Sequence, residues 1–460
     1  MSVSNKTLLK DVLHVMWPLV FAMAANTLMM FVDRLFLARY SAISIQAAVP
    51  SGILAFIALA FLQNVTAYSG TFVAQYAGSG ARAACARAMG QGLWLAVLCL
   101  PILAVSIPLG DWVLELIGHA PKVLAQEKSY YLVLTIGNMS IPFIAAVSGF
   151  YSGLGRTRLV MVANLIGNAL NIALDPWFIW GGWFLPEMGI VGAGLATALS
   201  QFVVLCILLF FVFRERHLGT LQRMKVAFVF KPQLICRIIR FGIPSGAHVF
   251  LDCATFTVFV FLTGRMCELD FAVSNIAFSI NHLIFGPLLG IAMASTIVVG
   301  QRMGEGDTSA ATRAGWISLG LAAIYVLLCV IIIGLFCTPI LEIFLPSDAT
   351  FSRDAYFALG KTLVAIFLGW AFFDAVNMVI GGALKGAGDT RYILRAIIVI
   401  LFGFWIPALF IAYFYWGIVE MWLSLLIYVA FLASAYGIRF VLGKWKNIRL
   451  IDSTATKGNP

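Results

Sequence analysis

The sequence predicts an all-α polytopic membrane protein, with twelve transmembrane helices in two pseudo-symmetric six-helix bundles, an N-lobe and a C-lobe. Three observations carry this reading. Of the 460 residues, 62% are hydrophobic and 11% charged, whereas a soluble domain carries about 25% charged residues. Apolar runs of about 20 residues recur along the whole chain, each long enough to cross a hydrocarbon core. The chain also repeats itself. Gly153-Leu154-Gly155-Arg156-Thr157-Arg158 returns as Gly386-Ala387-Gly388-Asp389-Thr390-Arg391 at an offset of 233, and Val73-Ala74-Gln75-Tyr76-Ala77-Gly78 as Val299-Gly300-Gln301-Arg302-Met303-Gly304 at an offset of 226. At the second offset Pro18 falls on Pro244, Gly80 on Gly306 and Arg87 on Arg313. Two related halves in the same order are a transporter device, because rocking them exposes one site to each side in turn.

The apolar runs place helices at 12–38, 47–76, 88–109, 129–153, 159–181 and 188–213 in the first half, then at 238–264, 273–301, 313–337, 356–384, 393–414 and 418–441 in the second. The spans at 47–76, 273–301 and 356–384 exceed a perpendicular crossing and are expected to tilt or bend. The N-lobe covers 1–213, a cytoplasmic linker 214–237, the C-lobe 238–441 and a cytoplasmic tail 442–460. The linker core, Lys225 to Lys231, is short and amphipathic, which suits either the membrane interface or a plain connector. After Trp445 the composition turns charged and then Ser, Thr, Gly and Pro, which predicts disorder. The paired Gly-x-Gly loops read as tight turns. They lack the Gly-Lys-Ser/Thr and the preceding strand of a phosphate-cradling loop.

The net charge of +10 marks topology. Of 30 Lys and Arg, 23 fall on the side that holds both termini and the loops near 77–90, 153–158, 214–240, 301–313 and 385–395. Positive loops stay cytoplasmic, so both termini are expected inside, and no nucleic-acid partner is expected. Lys6 and Lys10 precede a long apolar span without a small-residue cleavage site, so the first helix is expected to be retained. Eight cysteines and five histidines are scattered without a Cys-x-x-Cys pair. That pattern argues against a disulfide framework, a zinc site and a membrane-embedded enzyme.

Four acids lie well inside the predicted helices, away from their ends: Asp33, Asp175, Asp252 and Asp374. A carboxylate facing lipid costs at least ~2.5 kcal/mol, so such groups face a cavity or a partner. The functional reading is a coupling or substrate site; the bland one is a polar clamp between helices. Asn164, Asn168, Asn171 and Asp175 form one stripe of the fifth helix, Asn64, Tyr68, Thr71 and Gln75 one of the second, and Ala193, Thr197 and Gln201 one of the sixth. Pro176 has no N–H, which leaves the carbonyl of Ile172 without its helical donor. Counting from the outer helix ends puts Asp33 and Asp175 both about 8–9 Å deep, so they are expected to share a pocket. Asp252 and Asp374 lie nearer mid-membrane, with His248 one turn before the first and Asn377 three residues after the second. At the repeat offsets these two fall on Asn26 and Ile141, so the halves share a scaffold and differ in chemistry.

From about 10 to 441 the chain resembles the multidrug and toxic compound extrusion family. The resemblance rests on Trp17-Pro18, Val32-Asp33-Arg34, Asn171-Ile172-Ala173-Leu174-Asp175-Pro176, Gly192-Ala193-Gly194-Leu195-Ala196-Thr197, and the run from Asp374-Ala375-Val376 to Gly386. It implies a cation-coupled antiporter that exports amphipathic, often cationic drugs. It also implies a cation or proton site at Asp33, Asn171 and Asp175, completed by the Ala193 carbonyl and Thr197, as in the DinF-like branch. The NorM-like branch adds acids of the seventh and tenth helices, here Asp252 and Asp374 with Asn377 beside it. The chain is mixed, since the Leu-Asp-Pro signature resembles one branch and the C-lobe acids the other. Asp252 also stands where the second branch more typically has Glu, one methylene longer.

The expected activity is therefore secondary antiport driven by H+ or Na+, with no cofactor. The expected partners are small amphipathic molecules and membrane lipids, the expected state is a monomer, and the expected place is a bacterial inner membrane. Two acids in a partly dry pocket lean the expectation towards protons. Asp33, Asn171, Asp175 and Thr197 are equally hard oxygen ligands for Na+, the one metal ion the residues invite. The 37 Phe, and Trp370, Phe372 and Phe373 around Asp374, suggest an aromatic cavity that attracts organic cations. A flippase of lipid-linked oligosaccharides is the alternative. It would be expected to need buried basic groups for pyrophosphate, whereas the buried charges read here are acidic.

Overall fold

The computed structural model describes residues 3–182, 185–214, 227–345 and 351–451. Among them are twelve helices long and apolar enough to cross a membrane: α1 (Asn5–Tyr40), α2 (Ile43–Gly78), α3 (Arg82–Ile117), α4 (Pro121–Gly153), α5 (Thr157–Ile179), α6 (Ile190–Arg214), α7 (Pro232–Thr263), α8 (Glu268–Gly304), α9 (Thr308–Leu335), α10 (Arg353–Ala387), α11 (Thr390–Trp416) and α12 (Ile418–Leu442). Helix is the form lipid requires, since every backbone donor must find its acceptor within the segment. Most helices extend past their apolar runs into polar residues: α1 begins before Lys6, and α4 starts eight residues ahead of the run at 129. Long polar side chains at such ends carry their heads to the interface and let the backbone continue. Asp307 starts α9 by accepting the amide of Ala310 at 2.8 Å.

The helices form two compact units. One joins the residues up to Val20 with Leu251–Val299 and Asp307–Arg449; the other joins Phe21–Phe250 with Gly300–Gly306 and the chain from Leu450. The sequence repeat survives in the packing of each. In the first unit a Cβ on Gly290 of α8 would lie 2.8 Å from the backbone nitrogen of Val20 in α1. In the second, a Cβ on Gly246 of α7 would lie 2.7 Å from the carbonyl of Phe61 in α2. The offset of 226 maps Val20 onto Gly246, so one crossing is built twice.

The glycines of the two repeated motifs divide their work. Gly155 and Gly388 take left-handed backbone angles, φ +79° and +100°, which glycine adopts without strain. Gly153 and Gly386 instead stay helical and bring backbones together. A Cβ on Gly153 would lie 2.8 Å from the carbonyl of Gly70 in α2, and one on Gly386 would overlap the carbonyl of Thr296 in α8. Offset 226 relates Gly70 to Thr296, so this crossing is also repeated. The Val-x-Gln-x-x-Gly echo meets itself: a side chain on Gly78 would strike the carbonyl of Gln301, and one on Gly304 that of Gln75. Gln301 also donates from Nε2 to the carbonyl of Gly153 at 2.8 Å.

A side chain at Gly78 therefore needs backbone movement, and forced overpacking costs about 1–3 kcal/mol. We expect Gly78→Val to lower the thermal midpoint of the purified protein measurably, while Gly52→Ala, with open space around it, leaves it unchanged. Equal midpoints for the two variants would refute the close crossing.

The tail departs from the expectation of disorder. Trp445 is fully buried, stacks on Phe440 at 5.0 Å and donates from Nε1 to its carbonyl at 2.9 Å. Leu450 is buried in the core of the second unit. Two apolar side chains anchor a segment whose charge alone reads as solvated. The remainder of the tail, 452–460, and the linker residues 215–226 with Lys225 lie outside the described residues.

Candidate functional site

Three helices of the second unit bring the N-lobe residues together. Asp33 comes from α1, Asn168, Asn171 and Asp175 from α5, and Ala193, Thr197 and Ser200 from α6. Asp33 stands seven residues before the end of α1 and Asp175 four before the end of α5, about 10 and 6 Å of rise. The C-terminal end of α1 is fastened to the connection between α5 and α6. Phe36 and Tyr40 meet Trp180 edge-on at 5.8 and 6.3 Å, and the Tyr40 hydroxyl donates to Glu187 Oε1 at 2.8 Å. Helices α5 and α6 cross closely because position 192 has no side chain; a Cβ there would overlap the carbonyl of Phe178. We expect Gly192→Val to separate the two stripes and to lower both folded yield and any ion binding at this site. Unchanged yield and binding would show that the crossing does not position them.

Within the cluster Asn171 donates from Nδ2 to Asp175 Oδ1 at 3.4 Å and to Thr197 Oγ1 at 3.3 Å. Thr197 in turn donates to the carbonyl of Ala193 at 3.1 Å. Asp33 is half-buried, Asp175 and Asn171 are buried, and Asp175 feels the charge of Asp33. Three acceptor oxygens are buried without a hydrogen-bond partner: Asp33 Oδ1, Asp175 Oδ2 and Asn171 Oδ1. Unpaired buried oxygens are costly. A set of carboxylate, amide and hydroxyl oxygens is the chemistry that takes a proton or a small hard cation.

Not every polar residue of the three stripes joins in. Asn164 returns its amide to the carbonyl of Val160 and Asn64 to that of Ala60, each at 2.8 Å. Gln75 lies at the crossing with Gly304. Conversely, Tyr130 of α4 is buried against Gly194 and feels the charges of both Asp33 and Asp175. Nothing in its own segment separates it from Tyr131 beside it, whose hydroxyl donates to the carbonyl of Ser106 at 2.8 Å. The earlier start of α4 also brings Glu127 inside a helix. Glu127 is fully buried, and its Oε1 lies 2.7 Å from His119 Nδ1.

The C-lobe residues gather in the first unit. Asn377 donates from Nδ2 to Asp374 Oδ1 at 3.3 Å, and its own Oδ1 is buried without a partner. Asp374 feels the charge of Asp252, and Asp252 that of Lys385. Lys385 reads from sequence as a cytoplasmic loop charge. It is in fact the third-last residue of α10, half-buried, with Tyr428 and Tyr436 of α12 also within reach of the Asp252 charge. Trp370, one turn before Asp374, is buried with an unpartnered Nε1 and packs edge-on against Phe367 at 5.5 Å and Trp422 at 6.4 Å. His248, one turn before Asp252 in α7, belongs to the other unit. Among the described residues no group of His, Cys, Asp and Glu has the arrangement of a metal centre.

The sequence pattern of the MatE family matches residues 18–177 and 244–414. A probable multidrug resistance protein NorM of Thermotoga maritima is 28% identical over 394 residues, covering 84% of this chain and 82% of the relative. A probable multidrug resistance protein NorM of Pseudomonas aeruginosa is 27% identical, covering 98% and 92%. Among solved structures, a multidrug resistance MATE family transporter in an outward-facing conformation superposes with a TM-score of 0.81 at 23% identity, covering 96% of this chain and 98% of that one. A transporter of the MOP superfamily from Pyrococcus furiosus gives 0.81 at 22% identity and covers both chains fully. At these identities the structures establish a shared fold.

Proposed function

The chain belongs to the MatE family of multidrug and toxic compound extrusion proteins, and we propose that it is a secondary antiporter exporting amphipathic, cationic compounds in exchange for inward H+ or Na+. The observation that carries this reading is the buried oxygen set of Asp33, Asn171 and Asp175, three acceptors without partners, one on α1 and two on successive turns of α5. The relatives named as multidrug resistance proteins support the substrate class, and their bacterial sources support an inner-membrane location. The excess of Lys and Arg on the side of both termini supports placing these in the cytoplasm. In this mechanism Asp33 and Asp175 take up the inward ion, Asn171 and Thr197 orient them, and the Ala193 carbonyl holds the Thr197 hydroxyl. The C-lobe carboxylates of Asp252 and Asp374, beside the Trp370 ring, receive either the substrate cation or a second ion. The oligosaccharide flippase is disfavoured because Lys385, a half-buried cation of the C-lobe, lies within reach of the Asp252 charge.

Efflux from proteoliposomes separates the readings. A lipophilic cation should leave vesicles under a pH gradient without sodium, or under a sodium gradient without a pH difference. The arm that works names the ion. Efflux under neither gradient, with intact protein, would overturn antiport.

A further inference from the structure

The corner between the end of α2, the start of α3 and the start of α7 holds a cavity of about 290 Å³ whose polar lining is Tyr76, Arg87, Lys231, Gln233 and Arg237. Three cations face it and no acid does. Arg87, Lys231 and Arg237 are all half-buried. Among the described residues no carboxylate pairs with Arg87 or Lys231. Lys231 is held in place by its backbone, whose N–H donates to Gln91 Oε1 at 2.8 Å while Gln91 Nε2 donates to the carbonyl of Val229 at 2.9 Å. Gln91 is fully buried, so this pair of bonds fixes the segment 227–231 along α3.

The repeat supplies an internal comparison. At the offset of 226 Arg87 corresponds to Arg313, Lys231 to Asn5 and Arg237 to Asp11. In that second corner Arg313 donates from Nη1 to Asn5 Oδ1 at 3.0 Å, and Asp11 supplies a carboxylate at the third position. There the arginine has an amide partner from its own chain, and the third position carries an acid in place of a cation. Here the same two positions carry cations, and the arginine's recorded hydrogen bond is a 3.3 Å contact to the carbonyl of Ala83. A general surplus of inside-facing charge explains the number of cations. It does not explain why three converge on one concavity where the sister corner carries one cation, an amide and an acid at the same positions.

The surroundings of the cavity are apolar and exposed. Phe228, Val229 and Phe230 follow one another along the segment with exposed side chains, and Phe230 meets the exposed Trp94 edge-on at 5.7 Å. Trp94 donates from Nε1 to the carbonyl of Phe228 at 2.9 Å. An anion that fits would be a phosphate with an apolar body beside it. Basic pockets between helices on the cytoplasmic side hold anionic head groups for this reason. We propose that the corner binds the phosphate of an anionic phospholipid of the cytoplasmic leaflet, with Arg87, Lys231 and Arg237 around the phosphate and the acyl chains along Trp94 and Phe230. The choice of leaflet rests on the proposed orientation; the site itself does not depend on what the protein exports.

The test measures bound lipid on the full-length protein, without transport, by native mass spectrometry from mixed phosphatidylglycerol and phosphatidylcholine. The wild type should retain phosphatidylglycerol in preference to phosphatidylcholine. Each cation removed should weaken retention about five-fold, and Arg87→Gln/Lys231→Gln/Arg237→Gln together about 100-fold. The sister corner gives a gain-of-binding arm that does not depend on folding of the weakened variant: Asn5→Lys/Asp11→Arg should add a second retained anionic lipid. Equal retention by wild type and triple variant would overturn the proposal. So would displacement of the lipid by millimolar inorganic phosphate, which would assign the site to a soluble phosphate.

Discussion

Asp33→Asn is expected to abolish coupled export while leaving the protein inserted and folded. The substitution keeps the shape of the side chain and removes a charge that costs at least ~2.5 kcal/mol within a membrane helix. Insertion should therefore not suffer, and Asp33 Oδ1 has no recorded partner to lose. What is lost is the ion. One inward monovalent cation returns the ~2.3 kcal/mol per 100 mV that moving a monovalent substrate cation costs, so an uncoupled variant should lose that compensation, about 50-fold per 100 mV in the steady-state ratio. The measurement is steady-state accumulation of a lipophilic cation in inverted vesicles, alongside monodispersity of the purified variant. A well-folded variant that accumulates substrate normally removes Asp33 from the coupling site. A variant that fails to insert shows that its role is structural.

The second large effect concerns Lys385. Replacing it by methionine leaves Asp252 in the C-lobe without the cation whose charge it feels. Removing the counter-charge of a fully buried acid costs about 3 kcal/mol or more, and less for half-buried groups such as these, because the remaining charge keeps its desolvation penalty, whereas removing both can be nearly neutral. Lys385→Met is expected to lower the thermal midpoint clearly, and Asp252→Asn/Lys385→Met to recover most of the loss. A double variant no more stable than the single would show that the two charges do not depend on each other. If the double variant folds but exports poorly, Asp252 also serves transport.

The sequence by itself determined the twelve helices, the duplicated plan and the four acids Asp33, Asp175, Asp252 and Asp374. Each is a local property. A run of about 20 apolar residues is helical in lipid whatever surrounds it, and a carboxylate within such a run is conspicuous against the residues beside it. The stripe from Asn164 to Asp175 was visible because helical period is written along one segment. The tertiary structure alone decided which members of the stripe face the other acids, since Asn164 turns back to Val160 while Asn171 reaches Thr197. It also decided that Tyr130 rather than Tyr131 approaches the acids, that Lys385 attends Asp252 instead of lying in a loop, and that Glu127 is buried beside His119. Helical period fixes the faces of one helix but not their partners. Those partners were set by glycine crossings at positions 78, 192, 246 and 290, where the missing side chain matters only because a distant backbone passes through the space it leaves.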